Sequence, residues 1–272
     1  MKDLMRHIDA CRNARLPGGR LRLHVASEAA GWLRPGLVAV LQRFGATLHS
    51  HGVTVTPGAL PDLGRRLADE GLCHWRNEAF DVRAVPDGPA LAQVDRGALP
   101  LLGIQAAGVH LNGLVQRADG PWLWVARRAA DKRLDPNKLD HLVAGGVPAG
   151  LTPWETLAKE ASEEASIPAA LIAAATPVAV LSYAMDRPEG LRRDRLHCYD
   201  LLLPPNFVPV PADGEVAGFE LWPLPAVLDH VRHTDAFKFN VGLVLIDLFI
   251  RQGLVEGDEA AALRAALDAP SD

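Results

Sequence analysis

Residues 140–167 read DHLVAGGVPAGLTPWETLAKEASEEASI. An apolar strand end, LVA, runs into a loop carrying Gly145, Gly146, Pro148 and Gly150, and from Pro153 the spacing becomes helical. Glu160, Glu163 and Glu164 stand at i, i+3 and i+4, so at about 100° per residue they share an arc of about 100°. Trp154, Leu157, Ala161 and Ala165 fall on the neighbouring arc. The stretch therefore predicts a helix with one face packed on a core and the next face acidic. Like charges at this spacing repel, by roughly a few tenths of a kcal/mol per pair. Carboxylates gathered in this way call for a positive charge between them, and a hard divalent cation suits oxygen donors. An EASEEA run alone is most often a solvated helical face; the strand, the glycine loop and a nearby basic segment shift the balance.

The flanks supply that basic segment. GVHLNGLVQR (108–117) alternates as a strand does, Asp119-Gly120 is a hairpin signal, and PWLWVARRAADK (121–132) is a second strand with a basic exit. Arg127, Arg128, Lys132, Arg133 and Lys138 accumulate there. In isolation this is a solvated loop; beside an acidic metal site it is placed to hold phosphate oxygens. After the acidic helix, Pro168 blocks further helix. VAVLSYAM (178–185) and LHCYDLLLP (196–204) read as strands around a polar loop, and Asp213-Gly214 as a turn before another strand. FKFNVGLVLIDLFIRQG (237–253) is apolar at helical period, and residues 256–269 form a last amphipathic helix. Among the histidines, His24, His74, His110, His141 and His197 lack HxxxH or HExxH spacing, which favours core or surface roles. Tyr199-Asp200 favours a structural hydrogen-bonding pair. Trp75 and Trp122 favour packing over stacking a heterocycle.

The first section has no nucleophile, metal cluster or phosphate loop. It predicts a helix over 2–14 stopped by Pro17-Gly18-Gly19, alternating strands, a helix from Pro35 and another over 59–71. CHWRNEAFDVRAV (73–85) reads as a surface turn entering a strand. The chain thus divides into a small α+β domain, 1–98, serving as lid or specificity module, a main domain, 99–256, and a C-terminal helix or tail, 257–272. With 49% apolar and 22% charged residues, the 272-residue chain has the composition of a globular protein. Its net charge of −5 gives no general attraction to nucleic acid or membranes. No apolar run has the length of a bilayer span, and the charged N-terminus is not that of a signal peptide. Cys11, Cys73 and Cys198 show no CxxC spacing and read as reduced thiols, predicting a cytoplasmic protein.

Residues 145–167 resemble the signature box of the Nudix hydrolases, G-x5-E-x7-R-E-U-x-E-E-x-G-U, where U is bulky and apolar. Gly145, Glu160, Glu163 and Glu164 match in register. Leu151 replaces the early Glu, Lys159 the Arg, Ala161 the first U and Ser166 the last Gly. A Glu155–Lys159 pair at i, i+4 is the expected substitute brace. Ser166 makes a left-handed stop costlier, with Pro168 still ending the helix. Residues 123–151, 199–224 and 237–253 look like the thiamin pyrophosphokinase-related Nudix subfamily, which carries an extra N-terminal domain and this variant box.

That resemblance implies an α/β (α+β) fold: a Nudix α/β/α sandwich with a mixed sheet, preceded by the small α+β domain. It implies a Mg2+-dependent pyrophosphohydrolase, with Mn2+ as a substitute, that removes the terminal phosphate of thiamine diphosphate analogues such as oxo- and oxythiamine diphosphate. The alternatives are a Nudix hydrolase of ADP-ribose or NADH and a non-catalytic ligand sensor. The expected partner is a small-molecule pyrophosphate substrate, with no nucleic acid and no membrane, a homodimer being left open. Glu160, Glu163, Glu164 and the Ala144 carbonyl would hold metal. Glu160, or Glu215 ahead of Asp213, would take the proton of water. Arg127, Arg128, Lys132, Lys238 and the backbone at Gly145 and Gly146 would meet the substrate phosphates.

Overall fold

The structure, a computed structural model, describes residues 4–270. Helix α1 (Met5–Cys11) is followed by an α+β unit over residues 21–102. Strands β1 (Leu21–Val25), β2 (Glu28–Leu33), β3 (Thr47–His49) and β4 (Gly52–Val55) form one sheet in the order β2-β1-β4-β3, with β1 and β4 parallel. Alternation in RLRLHVA turns Leu23 and Val25 inward. Leu41 of α2 (Val38–Arg43) and Leu60, Leu63 and Leu67 of α3 (Leu60–Asp69) join them in one core. Phe80 and Val82 of β5 (Ala79–Val82) and Val94 of β6 (Ala92–Asp95) extend it as an antiparallel hairpin. Helix α4 (Leu99–Leu102) leads into the main sheet.

The main sheet has seven strands. Its spine is the hairpin of β7 (Gln105–Arg117) and β8 (Gly120–Arg128), to which β9 (Leu139–Asp140) and β10 (Val143–Gly146) are paired on β8 and β7. With β11 (Thr176–Arg187), β12 (Gly190–Leu202) and β13 (Val216–Pro223), the path runs β11-β12-β7-β8-β13. β12 and β7 are parallel and the other pairs antiparallel, so the sheet is mixed, as expected. One face packs Val109, Leu111 and Val143 against α5 (Pro153–Ala165) and α6 (Ala169–Ile172). The other face carries α7 (Leu224–His233), α8 (Val241–Arg251) and α9 (Gly257–Asp268). Every residue from Val241 to Phe249 is buried. At about 1.5–3 kcal/mol for each large apolar side chain buried, α8 anchors this layer. Among the described residues no helix is long and apolar enough to cross a membrane.

Packing redraws the expected boundaries. Leu4, Ile8 and Cys11 belong to the sandwich core with α8, so the first helix is not part of the 1–98 unit. Of the expected C-terminal helix or tail, residues 257–268 form the helix, and Leu263 and Leu267 of α9 are buried in the same core. The expected polar loop before residue 196 is mostly strand, with Arg187 already paired to Gly190 across the turn. Its charges are neutralised in place, which hid the strand pattern. Arg192 bonds Asp194 at 2.8 Å, and Arg195 reaches Asp87 of the N-terminal unit at 2.9 Å. All three cysteines are free.

Candidate active site

Strand β10 sets Ala144 opposite His110 and Gly145 opposite Val109. The chain then turns through the glycine loop into α5, whose start is fixed by a capping box. The Thr152 hydroxyl accepts from the Glu155 N–H at 3.2 Å, and the Glu155 carboxylate accepts from the Thr152 N–H at 2.8 Å. The expected Glu155–Lys159 brace is absent, because Glu155 is committed to the cap. Lys159 instead reaches Glu163 at 2.5 Å and Glu160 at 3.5 Å. The helix ends at Ser166, not at Pro168: Ser166 adopts a left-handed φ of 53°. Its hydroxyl donates to the Val210 carbonyl at 2.9 Å, which fixes the residue in that conformation. Trp154, expected in the core, is 40% exposed and lies near Tyr199; Thr156 is buried instead.

The three glutamates occupy three environments. Glu163 is exposed. Glu160 is half-buried over Gly145, where a Cβ would come within 2.6 Å of the Glu160 Cγ, so the loop needs glycine there. Glu164 is buried and accepts a hydrogen bond from the Ala144 N–H at 2.9 Å. Burial foremost, then the charges of Asp140, Glu160 and Asp213, push its carboxyl up to about 8 against that bond. Burial also raises Glu160, with Lys159 opposing. From the turn before β13, Asp213 and Glu215 join Glu164, each placing a carboxylate oxygen within 4.8 Å of the others. The Asp213 carboxylate also accepts from the Glu215 N–H at 2.8 Å, so the ordinary turn bond coexists with the acidic cluster.

The basic residues separate. Lys132 ion-pairs with Glu215. Arg128 bonds Asp140 at 2.8 Å and the carbonyls of Leu134 and Asp135 at 2.8 and 3.0 Å, and Lys238 bonds Asp140 at 3.2 Å. Arg127 does not join them. It points to the other side of β8 and pairs with Glu220 at 3.5 Å. Arg128, Lys132, Asp140, His141, Glu164 and Glu215 line a narrow crevice with room for about one water, near 10 Å³. Trp122 sits at the β7–β8 hairpin end on Asp119, and Trp75 lies under Arg65.

Sequence reasoning gave His110 and His141 core or surface roles without pairing them. Both are buried, with their Nδ1 atoms 2.9 Å apart. Burial pushes His141 down to about 4 and His110 well below the ordinary value, so both are neutral near pH 7 and one donates to the other. They are 31 positions apart; only the β10–β7 register unites them. The strand pattern of GVHLNGL was the available signal, and every residue of it is buried. The N-terminal unit, expected as a lid or specificity module, touches the loop: the Ala149 N–H donates to the Ala79 carbonyl at 2.7 Å and the Gly150 N–H to Asp81 at 3.3 Å, so β5 docks on the glycine loop.

Glu164, Asp213 and Glu215, beside Glu160 and Glu163, are an oxygen donor set short of positive charge, which fits a hard divalent ion. A family description, NUDIX domain, matches residues 108–240. The chain is 34% identical to Nudix hydrolase 24, chloroplastic, of Arabidopsis thaliana, over 97% of this chain and 76% of that protein. It is 39% identical to Nudix hydrolase 20, chloroplastic, of the same plant, over 75% of this chain and 55% of that one. A solved Deinococcus radiodurans protein is similar over 70% of this chain and 99% of its own, at 22% identity and a TM-score of 0.46. Both plant relatives are named chloroplastic, and on that finding the cytoplasmic location read from the cysteines is withdrawn. A glycine loop, a capped acidic helix and a match of this extent agree: the chain belongs to the Nudix hydrolase family.

Proposed function

We propose that the protein is a Mg2+-dependent pyrophosphohydrolase that removes the terminal phosphate from thiamine diphosphate analogues, oxo- and oxythiamine diphosphate among them, to leave the monophosphate. The observation that carries the hydrolytic part is the Glu164 carboxylate, buried, tied to the Ala144 N–H and crowded by other carboxylates. The substrate class is supported by the stretches 123–151, 199–224 and 237–253, which resemble the thiamin pyrophosphokinase-related subfamily.

In this reading Glu160, Glu163 and Glu164 hold the ion, with the Ala144 carbonyl beside them. When bound, Mg2+ neutralises charge on the pyrophosphate and lowers the pKa of an attacking water. Glu160 or Glu215 takes the water proton. Lys132, now paired with Glu215, is free to exchange that partner for a phosphate oxygen. Gly145 and Gly146 let Glu160, Phe80 and Arg96 close onto the loop backbone, where a Cβ would clash. Arg128 and Lys238, bound to Asp140, act on the phosphates only through their field.

A phosphate-release screen with Mg2+ tests this, using oxythiamine, oxothiamine and thiamine diphosphates, ADP-ribose and NADH. The expected result is monophosphate and inorganic phosphate from the thiamine analogues, abolished by EDTA. AMP from ADP-ribose without turnover of any thiamine compound assigns the nucleotide class instead. Tight binding of every compound without turnover supports a sensor. Unchanged rates in both Glu163→Gln and Glu164→Gln overturn the metal-site assignment.

A further inference from the structure

Lys132 is built into the acidic crevice by its backbone as well as by its charge. The Ala129 N–H donates to the Glu215 carbonyl at 3.0 Å, and the Lys132 N–H donates to the Ala129 carbonyl at 3.2 Å. The exit of β8 is thereby tied to the turn before β13, and the Lys132 ammonium pairs with the Glu215 carboxylate. Glu164, Asp213 and Glu215 place carboxylate oxygens within 4.8 Å of one another, so the ammonium lies at a three-carboxylate cluster. Burial and the Arg128 charge hold its pKa below the ordinary lysine value, and the charges of Glu164 and Asp213 oppose them.

The other cation lining the crevice, Arg128, is committed elsewhere, to Asp140 and to the Leu134 and Asp135 carbonyls. Lys132 has one ion pair among the described residues, with Glu215. An ammonium on a flexible four-carbon stem is a compact charge that changes partners readily. Glu164 is buried in the same crevice with a hydrogen bond from the Ala144 N–H and no ion pair among the described residues. One ammonium therefore leaves the cluster short of positive charge. Beside Lys132, Ala144, Glu164 and Glu215 the crevice has room for about one water. Mg2+ keeps several of its waters, so it needs the space that the ammonium holds.

We infer that Lys132 is a tethered stand-in for the divalent ion: its ammonium holds the cluster of Glu164, Asp213 and Glu215 in the metal-free protein, competes with the ion for it, and once displaced reaches the substrate phosphates from the β8 exit. Lys132 thus opposes one ligand and favours the other, which a plain phosphate contact does not do. The inference deepens the hydrolase reading and rests on it for the identity of both ligands.

Mg2+ titration calorimetry on the full chain, stripped with EDTA and without substrate, tests the competition. Lys132→Met should bind Mg2+ at least fivefold more tightly than the wild type, and Lys132→Gln should move in the same direction. Lys132→Arg, which keeps the charge, should bind no more tightly than the wild type. Arg127→Gln removes the same charge on the other side of β8, where Arg127 pairs with Glu220, and should leave the affinity unchanged. An affinity in Lys132→Met and Lys132→Gln that is weaker than the wild type, or within twofold of it, overturns the inference. So does an equal gain in Arg127→Gln, which would mean a diffuse field, and so does a protein that binds no Mg2+ in wild type and variants alike. With saturating Mg2+ and oxythiamine diphosphate, KM should rise at least tenfold in Lys132→Met although the ion binds more tightly. A wild type that turns over no diphosphate, while Lys132→Met still tightens Mg2+ binding, overturns the hydrolase reading and supports the stand-in.

Discussion

Two buried carboxylates line one crevice and titrate in opposite directions. Asp140 accepts from Arg128, Lys238 and the His141 N–H. Burial would raise it, yet Lys238 and Arg128 together hold it well below the usual carboxylate range. Among the described residues Glu164 accepts one hydrogen bond, from Ala144, and its charged neighbours include Asp140, Glu160 and Asp213; its carboxyl is pushed up to about 8. Burial is alike at the two positions, so the sign of the neighbouring charge decides. Asp140 is saturated with cations and braces the fold. Glu164 has an unmet demand for positive charge, and an unmet demand in a crevice marks a ligand position.

The largest effect should come from Glu164→Gln. Turnover is expected to fall by about 10³-fold, or about 4 kcal/mol of transition-state stabilisation, while the melting temperature holds or rises, since a poorly solvated carboxyl is gone. Steady-state rates and thermal melts check both halves; a large loss of stability with retained activity would erase the contrast with Asp140. Asp140→Asn should do the reverse, destabilising the fold by about 3–5 kcal/mol because two cations lose their partner, with Mg2+ affinity little changed. Denaturant titration and metal titration separate these outcomes.

A third prediction concerns protons. The Glu164 carboxyl is raised from 4.5 to about 8, so without metal the folded chain keeps a proton that the unfolded chain releases. Metal-free stability should therefore decline as pH rises from 4.5 towards 8. Mg2+ binding at pH 7 should expel a proton, and its affinity should climb with pH. Calorimetry in buffers of different ionisation heat reads the proton release, and melts of Glu164→Gln should show a shallower pH slope over that range. The smallest effect is at the capping box. Thr152→Ala should cost about 1 kcal/mol, measurable by denaturant unfolding, with Glu164 still in place.

The position of the glutamates was legible because helical period is a local property. Three carboxylates at i, i+3 and i+4 after a glycine loop give one acidic face whatever surrounds it. Their inequality was not legible: Glu163 is in water and Glu164 is buried only because Val143 and Ala144 pass beneath α5. Lys159 and Glu155 fit a helical pair, but the N-cap took Glu155 first, a competition between two local bonds that spacing alone does not rank. Arg127 and Arg128 look equivalent in sequence; one step along a strand sends them to opposite faces.

Local pattern was thus sufficient for the family, the mixed sandwich and the acidic helix, because box spacing and strand alternation are written in consecutive residues. Tertiary structure alone decided the rest. It put α1 and α9 in one core with α8 and set His110 against His141. It laid β5 and Arg96 on the glycine loop, which lies far along the chain from both. Those pairings depend on strand register and on which apolar faces must be covered, and no short stretch of sequence contains either.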